Sequence, residues 1–219
     1  MPRLLFEKTG NAIWISHLDL MRLFQRSFKR AGLPLTHSKG FNPRPSVSIA
    51  LPLSVGIESH CELLDFDLDG VKVPCEEIKF RLNESLVKGV RILQVYEDMD
   101  KLKNLSLLEC KVTLEYDRGI PEGAKAAIEE LFSRPNVTVE KRSKNGNVDQ
   151  NIVPMIRKIC INPVDTNTLT MDALVCCQNP TLNPALMSAA IERYLPEYKA
   201  DYVKYSRIEI YDENERIFR

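Results

Sequence analysis

No stretch of the sequence approaches the roughly 18 apolar residues of a membrane-crossing helix, and its first ten residues, MPRLLFEKTG, lack the apolar core of a secretion signal. A cytoplasmic protein with no membrane partner is expected. The six cysteines (Cys61, Cys75, Cys110, Cys160, Cys176, Cys177) show no C-x-x-C spacing, which argues against a zinc ribbon or a redox pair. Adjacent Cys176 and Cys177 lie in the apolar run MDALVCC, which reads as a strand, and most of the thiols are expected to be reduced core groups. His60, Cys61 and Cys75 lack recognised metal-ligand spacing, so no metal and no cofactor is expected in this chain. Also missing are a P-loop, a G-x-G-x-x-G turn, an H-E-x-x-H helix and a G-x-S-x-G elbow. The enzyme classes built on those motifs are excluded.

What the chain does have is an uneven charge distribution beneath a formal net charge of +0. Residues 1–50 hold eight Lys/Arg (Arg3, Lys8, Arg22, Arg26, Lys29, Arg30, Lys39, Arg44) against the two acids Glu7 and Asp19, a net of +6, and the remainder balances it at −6. Such polarity favours an anionic partner for the N-terminal part. With 219 residues and 44% hydrophobic content, two compact halves can each bury a core.

The order of elements supports that division. RLLFEK at 3–8 reads as a strand, followed by a helix from His17 to about Ala31 that stops at Gly32 and Pro34. Ser16 is positioned to cap this helix, with Asp19 three residues on reaching back to the cap amide. Leu20, Met21, Phe24 and Phe28 fall on one face, and Arg22, Arg26, Lys29 and Arg30 on another. SVSIALPL (46–53) and ELLDFDLD (62–69) read as strands, 75–87 as a helix and VRILQVYE (90–97) as a strand. The polar run EDMDKLKN (97–104) marks the junction between residues 1–98 and 105–219. The second half repeats the rhythm. LLECKVTLEY is a strand, Pro121 opens a helix to Phe132, and VTVEKRS is a strand ending at the turn KNGN. A short helical turn near 153–158 reads as an insertion, and then come the strand TLTMDALVCC, a helix opened by Asn183 and Pro184, and the strand DYVKYSRIEIY. The expected fold class is α+β, two tandem ferredoxin-like (βαββαβ) units with antiparallel sheets.

Two segments hold the candidate chemistry. His17 follows the cap residue, beside the positive end of the helix dipole, where an imidazole could act as a base, donate to an anion, or simply pack against Trp14. The loop THSKGFNPRP (36–45) combines Gly40 and Asn42, which tolerate unusual backbone angles, with Pro43 and Pro45, which stiffen its end. Lys39 and Arg44 flank Phe41, which either stacks on a base or lies buried beneath the loop. If the helix and the loop converge, Arg22, Arg26, Lys29, Lys39 and Arg44 line one basic groove, with His17, Asp19 and Asn42 fixing loop to helix. The acids Asp65, Asp67 and Asp69 read as a solvent face.

The motifs ISHLDLMR (15–22) and LPLTHSKGFNPRPSVSIALPLSVG (33–56), with Glu62 after them, resemble a bacterial radical-SAM-associated family of uncharacterised proteins. The matching positions are Ser16, His17, Leu18, Asp19 and Arg22, then Ser38, Gly40, Phe41, Asn42 and Pro43. Lys39 and Arg44 depart from the Gln and His usual there. The resemblance implies a companion of a radical S-adenosylmethionine enzyme, near RNA and ribosome metabolism. The chain has no C-x-x-x-C-x-x-C cluster site and so is not itself that enzyme. Three functions follow as expectations. The first is an accessory partner of the radical enzyme that binds RNA or an RNA-protein substrate. The second is a metal-free RNA-processing enzyme using His17 or His37. The third is a protein-interaction module without nucleic acid.

Overall fold

The computed structural model describes residues 2–70, 72–97, 100–143 and 146–219, with side-chain placement for all of these except residues 142 and 143. The chain divides into two compact units, Met1–Leu102 together with Arg219, and Lys103–Phe218. Residues 98 and 99 of the expected junction, and residues 144 and 145 of the expected KNGN turn, lie outside the described residues. The fold is mixed α/β. The strands within each unit pair antiparallel, and among the described residues there are four α-helices.

The first unit runs β1 (Arg3–Lys8), α1 (His17–Arg30), β2 (Val47–Ile49), β3 (Glu58–Phe66), α2 (Cys75–Ser85) and β4 (Val90–Tyr96). β1 lies between β4 and β3, and β2 pairs with β3. The core of the unit joins the helices to the sheet through Leu4, Phe6, Leu20, Phe24, Phe28, Leu64, Phe66, Ile78 and Leu82. Phe24 meets Phe6 edge-on at 4.8 Å between ring centroids, and Phe28 meets Phe66 at 4.9 Å. Each buried aromatic ring contributes roughly 1.5–3 kcal/mol by leaving water. The two helices are tied at their C-termini. Arg30 donates to the Ser85 carbonyl at 2.7 Å, and the Ser85 hydroxyl donates to the Ser27 carbonyl at 3.3 Å. The first bond gives the Ser85 carbonyl, at the end of α2, a partner from outside its helix, while the Ser27 carbonyl already accepts the Ala31 amide at 2.9 Å.

Three expectations for this unit need correction. Of SVSIALPL only Val47–Ile49 is strand; the Ala50 amide still donates to the Leu63 carbonyl at 3.0 Å, and Pro52, which has no amide to donate, does not continue the ladder. Asp65 and Asp67 are not a solvent face. Asp65 takes two hydrogen bonds from the buried Arg3 guanidinium, Nε to Oδ1 at 2.6 Å and NH2 to Oδ2 at 3.1 Å, across directly opposed positions of β1 and β3. Asp67 accepts the Thr36 hydroxyl at 3.1 Å. Arg3 and Lys8, which the composition counts among the cations available to an anion, are both only 1% exposed. The Lys8 ammonium donates to the carbonyls of Ile13 and Ile15. The available basic surface of this unit is therefore smaller than its composition suggests.

The second unit runs β5 (Leu105–Glu115), α3 (Ala124–Ser133), β6 (Thr138–Ser143), β7 (Gly146–Asn151), β8 (Ile156–Pro163), β9 (Thr168–Cys176), α4 (Ala185–Tyr194) and β10 (Tyr202–Asp212). β5 lies between β10 and β9, and β8 pairs with β9. The strand VTVEKRS does not join this sheet. It forms a separate hairpin with β7, and the segment read as a helical turn, 153–158, holds a single 3-10 turn and the start of β8. Among the described residues β8 pairs with β9 alone, and its apolar residues Ile156, Ile159, Cys160 and Ile161 do not follow the regular alternation that identifies a strand. α3 starts three residues later than Pro121, after Gly123, whose φ of +80° is a left-handed angle that breaks the helical path. At the start of α4 the cap position falls on Pro184 instead of Asn183, whose side-chain oxygen accepts from the Ala185 amide at 3.1 Å just before the helix.

Breaking the Arg3–Asp65 pair from one side leaves a charge buried, whereas replacing both partners does not. Asp65→Ala is expected to lower unfolding free energy by about 3–5 kcal/mol, and Arg3→Met combined with Asp65→Leu to lower it much less. Urea unfolding of the single and double variants measures both.

Candidate functional site

Helix α1 begins where Ser16 turns from extended to helical backbone. The Ser16 hydroxyl oxygen accepts from the Asp19 amide at 3.2 Å and donates to the Asp19 carboxylate at 2.7 Å. Asp19 thus takes the cap hydroxyl, where the sequence suggested the cap amide. It also accepts from Arg22 at 2.9 Å. The Ser16 hydroxyl, then Arg22, holds its carboxyl below the usual carboxylate range. Beyond this turn the core rings fix the rotation of the helix. With Phe24 and Phe28 inward, Arg22, Arg26, Lys29 and Arg30 face out.

The loop is closed upon itself. The Ser38 amide donates to the Arg44 carbonyl and the Arg44 amide to the Ser38 hydroxyl, each at 2.9 Å, while His37 and Pro45 form a bridge at its base. Below the bridge, the Thr36 amide and hydroxyl bond to the Asp67 backbone and carboxylate, and Leu35 pairs with Leu68. Gly40 has φ +132°, and the loop from His37 to Arg44 is exposed throughout. Phe41 is 112% exposed, as free of neighbours as a side chain can be. The alternative of a Phe41 buried beneath the loop does not hold.

Helix and loop converge on a recess of about 570 Å³, lined by Gln25, Arg26 and Lys29 of α1, by Gly32–Leu35 after it, and by His37 and Pro45 from the loop base. A second depression of about 540 Å³ is lined by Ile15, Asp19, Arg22, Leu23, Arg26, Arg30 and Val87. Arg26 borders both, so the cations of α1 run from one depression into the other. Of the sequence candidates, Arg26, Lys29 and His37 meet in the first recess. Asp19 and Arg22 belong to the second, and Lys39, Gly40, Phe41, Asn42 and Arg44 project on the loop beyond it. His17 lines neither. Its Nδ1 is buried and has no hydrogen-bond partner among the described residues. The loop is held by Thr36–Asp67 below it and Ser38–Arg44 across it, and Asp19 bonds to Ser16 and Arg22.

Sequence reasoning misses Gln25, Leu33, Leu35 and Pro45 as site residues. Gly32 and Pro34 read only as helix-stop signals, yet the apolar positions interleaved with them are visible in the sequence as walls for anything the loop encloses. Among the described residues no helix is long and apolar enough to cross a membrane.

Comparison with solved structures finds a chain of a Cbf5–Nop10–Gar1 complex, 8% identical with a TM-score of 0.52, over 95% of this chain. This chain covers 48% of that one, about half its length. An unknown protein from Galdieria sulphuraria is 11% identical over 94% of this chain and 96% of its own, with a TM-score of 0.26. No curated protein matches. A bacterial protein family described as "Uncharacterized protein conserved in bacteria" matches residues 2–184.

Because Asp19 ionises more readily in the folded protein, it stabilises the helix start above the ordinary carboxylate range, and that contribution is lost as pH falls through its lowered folded value. In thermal unfolding from pH 6 down to pH 2, Asp19→Asn is expected to show a shallower acid-side loss than the natural chain. Ser16→Ala, which removes the cap, is expected to cost about 1 kcal/mol at neutral pH.

Proposed function

We propose, from the premise that the chain belongs to this bacterial family, DUF2344, that it is an accessory, substrate-recognition partner of a radical S-adenosylmethionine enzyme and binds RNA or an RNA-protein substrate through its N-terminal basic surface. The observation that carries the binding reading is the recess where Arg26 and Lys29 meet His37 and Pro45 beneath a loop that presents Phe41 between Lys39 and Arg44. Cations along α1 suit a phosphate backbone, and a fully exposed aromatic ring gives a base a face to stack on. The radical-enzyme partner is supported by the resemblance of ISHLDLMR and the GFNP loop to radical-SAM-associated proteins, and by that alone. In this reading the chain works in the cytoplasm, carries no cofactor of its own and leaves the chemistry to its partner.

Within the proposal, the two units are a tandem of ferredoxin-like units. The support is that in each unit the first sheet strand lies between two antiparallel neighbours that follow it in the chain, one of them the last strand, and that the likeness to the chain of the Cbf5–Nop10–Gar1 complex spans nearly the whole molecule. That likeness concerns the fold only.

One observation favours a second reading, a metal-free RNA-processing enzyme. His37, and not His17, borders the recess together with two cations, the arrangement a general acid or base needs beside a phosphodiester. Cleavage of RNA in EDTA that His37→Ala abolishes would establish it.

RNA binding followed against salt is the direct test of the first reading. Arg26→Ala with Lys29→Ala is expected to weaken binding at least tenfold and to flatten the log–log salt slope by roughly 0.7 for each phosphate of a single strand that the protein ceases to neutralise. Phe41→Ala is expected to weaken binding by about 1–3 kcal/mol with the slope unchanged. Equal affinity and slope for the double variant and the natural chain would remove the groove.

A further inference from the structure

The recess has two kinds of wall. Leu35, at the edge of the hydrophobic core of the first unit, makes an apolar side with Pro34 and Pro45, and Leu33 lies beneath them with no exposed surface. Arg26, Lys29, the His37 imidazole and the Gln25 amide supply the polar edge. A phosphate by itself gains nothing from an apolar side, since its binding is made of charge-assisted hydrogen bonds. A purely apolar ligand has no use for two cations. The combination suits a flat ring with apolar faces, a hydrogen-bonding rim and one anionic group close to it. At about 570 Å³ the space lies within the roughly 300–1,000 Å³ of sites for one small ligand, and it is not a channel for a run of bases.

We infer that this recess holds a single unstacked nucleotide of a single-stranded RNA, its base against Pro34, Leu35 and Pro45, its phosphate on Arg26 and Lys29, and its edge facing Gln25 and His37. This rests on the RNA-binding reading above and narrows it. Duplex RNA keeps its bases paired and stacked, and offers a protein mainly phosphates and 2′-hydroxyls. A ring-sized recess has nothing to receive from it. Phe41, on the loop whose base walls the recess, gives an adjacent unpaired base a stacking surface, so the pair of features reads two unstacked bases where a duplex offers none.

The test titrates adenosine monophosphate, adenosine and inorganic phosphate separately into the full chain, following the His37 imidazole C–H resonances by NMR. Alongside it, one RNA sequence is compared as single strand and as duplex at fixed salt. Adenosine monophosphate is expected to shift His37 and to bind at least tenfold tighter than adenosine or phosphate, and the single strand at least tenfold tighter than the duplex. Arg26→Ala with Lys29→Ala, both on the exposed face of α1, should reduce the nucleotide to the affinity of adenosine. Gln25→Trp, which fills the recess, should abolish the His37 response. Phosphate binding as tightly as the nucleotide, a duplex binding as tightly as the single strand, or a His37 unmoved by the nucleotide overturns the inference. If RNA binds with a steep salt slope while the nucleotide leaves His37 unmoved, the inference falls and the basic groove stands. If the nucleotide binds as described but no RNA does, the mononucleotide site stands and the RNA reading falls.

Discussion

Phe24 and Phe28 have no exposed surface, and their packing against Phe6 and Phe66 fixes how α1 is rotated on its sheet. Everything proposed for the first unit depends on that rotation. Arg22, Arg26 and Lys29 stand one or two positions from the buried rings along the helix, and they are turned outward because the rings are turned inward. A helix free to roll would scatter those charges around its axis. Held by two aromatic contacts and by the Arg30–Ser85 tie at its end, α1 delivers Arg26 and Lys29 to one fixed place, where the chain returns after Gly32 to build the opposite wall.

Buried polar groups set the other boundary of the site. Arg3 bonds to Asp65 and to the Asp100 carbonyl, and Lys8 to two backbone carbonyls, so neither side chain is placed to touch an incoming anion. Their burial inside the unit means that an incoming anion is drawn by the exposed cations of α1 and the loop. Of the eight cations in residues 1–50, the six that remain at the surface all lie on α1 and the loop.

How much of this is legible in the sequence depends on distance along the chain. The start and amphipathicity of α1, the Ser16 cap and the shaped character of the GFNP loop all follow from residues within a turn or two of each other, and local chemistry specifies them. Asp65 reads as solvent-facing because its partner Arg3 lies 62 residues away, and nothing in ELLDFDLD indicates a buried guanidinium on the neighbouring strand. β8 escapes notice because Ile156, Ile159, Cys160 and Ile161 of IRKICINP keep no regular period of two, whereas the strands of the sheet interior announce themselves. For the site, the cations are visible but their grouping is not. His17 and Arg22 stand close to Arg26 in sequence and yet do not line the recess that Arg26 shares with Lys29 and His37, while Pro45 does, because the Leu35–Leu68 and His37–Pro45 bridges bring distant segments together.

The loop from Ser38 to Arg44 is a ring closed by its own backbone, and Phe41 at its tip stands fully clear of the protein. A side chain that supports no core can be exchanged without loosening the scaffold that displays it. Selection can therefore retune what the tip grips, from aromatic to aliphatic to polar, one substitution at a time and with the stability of the unit left intact. The fold separates an evolvable fingertip from the hand that holds it.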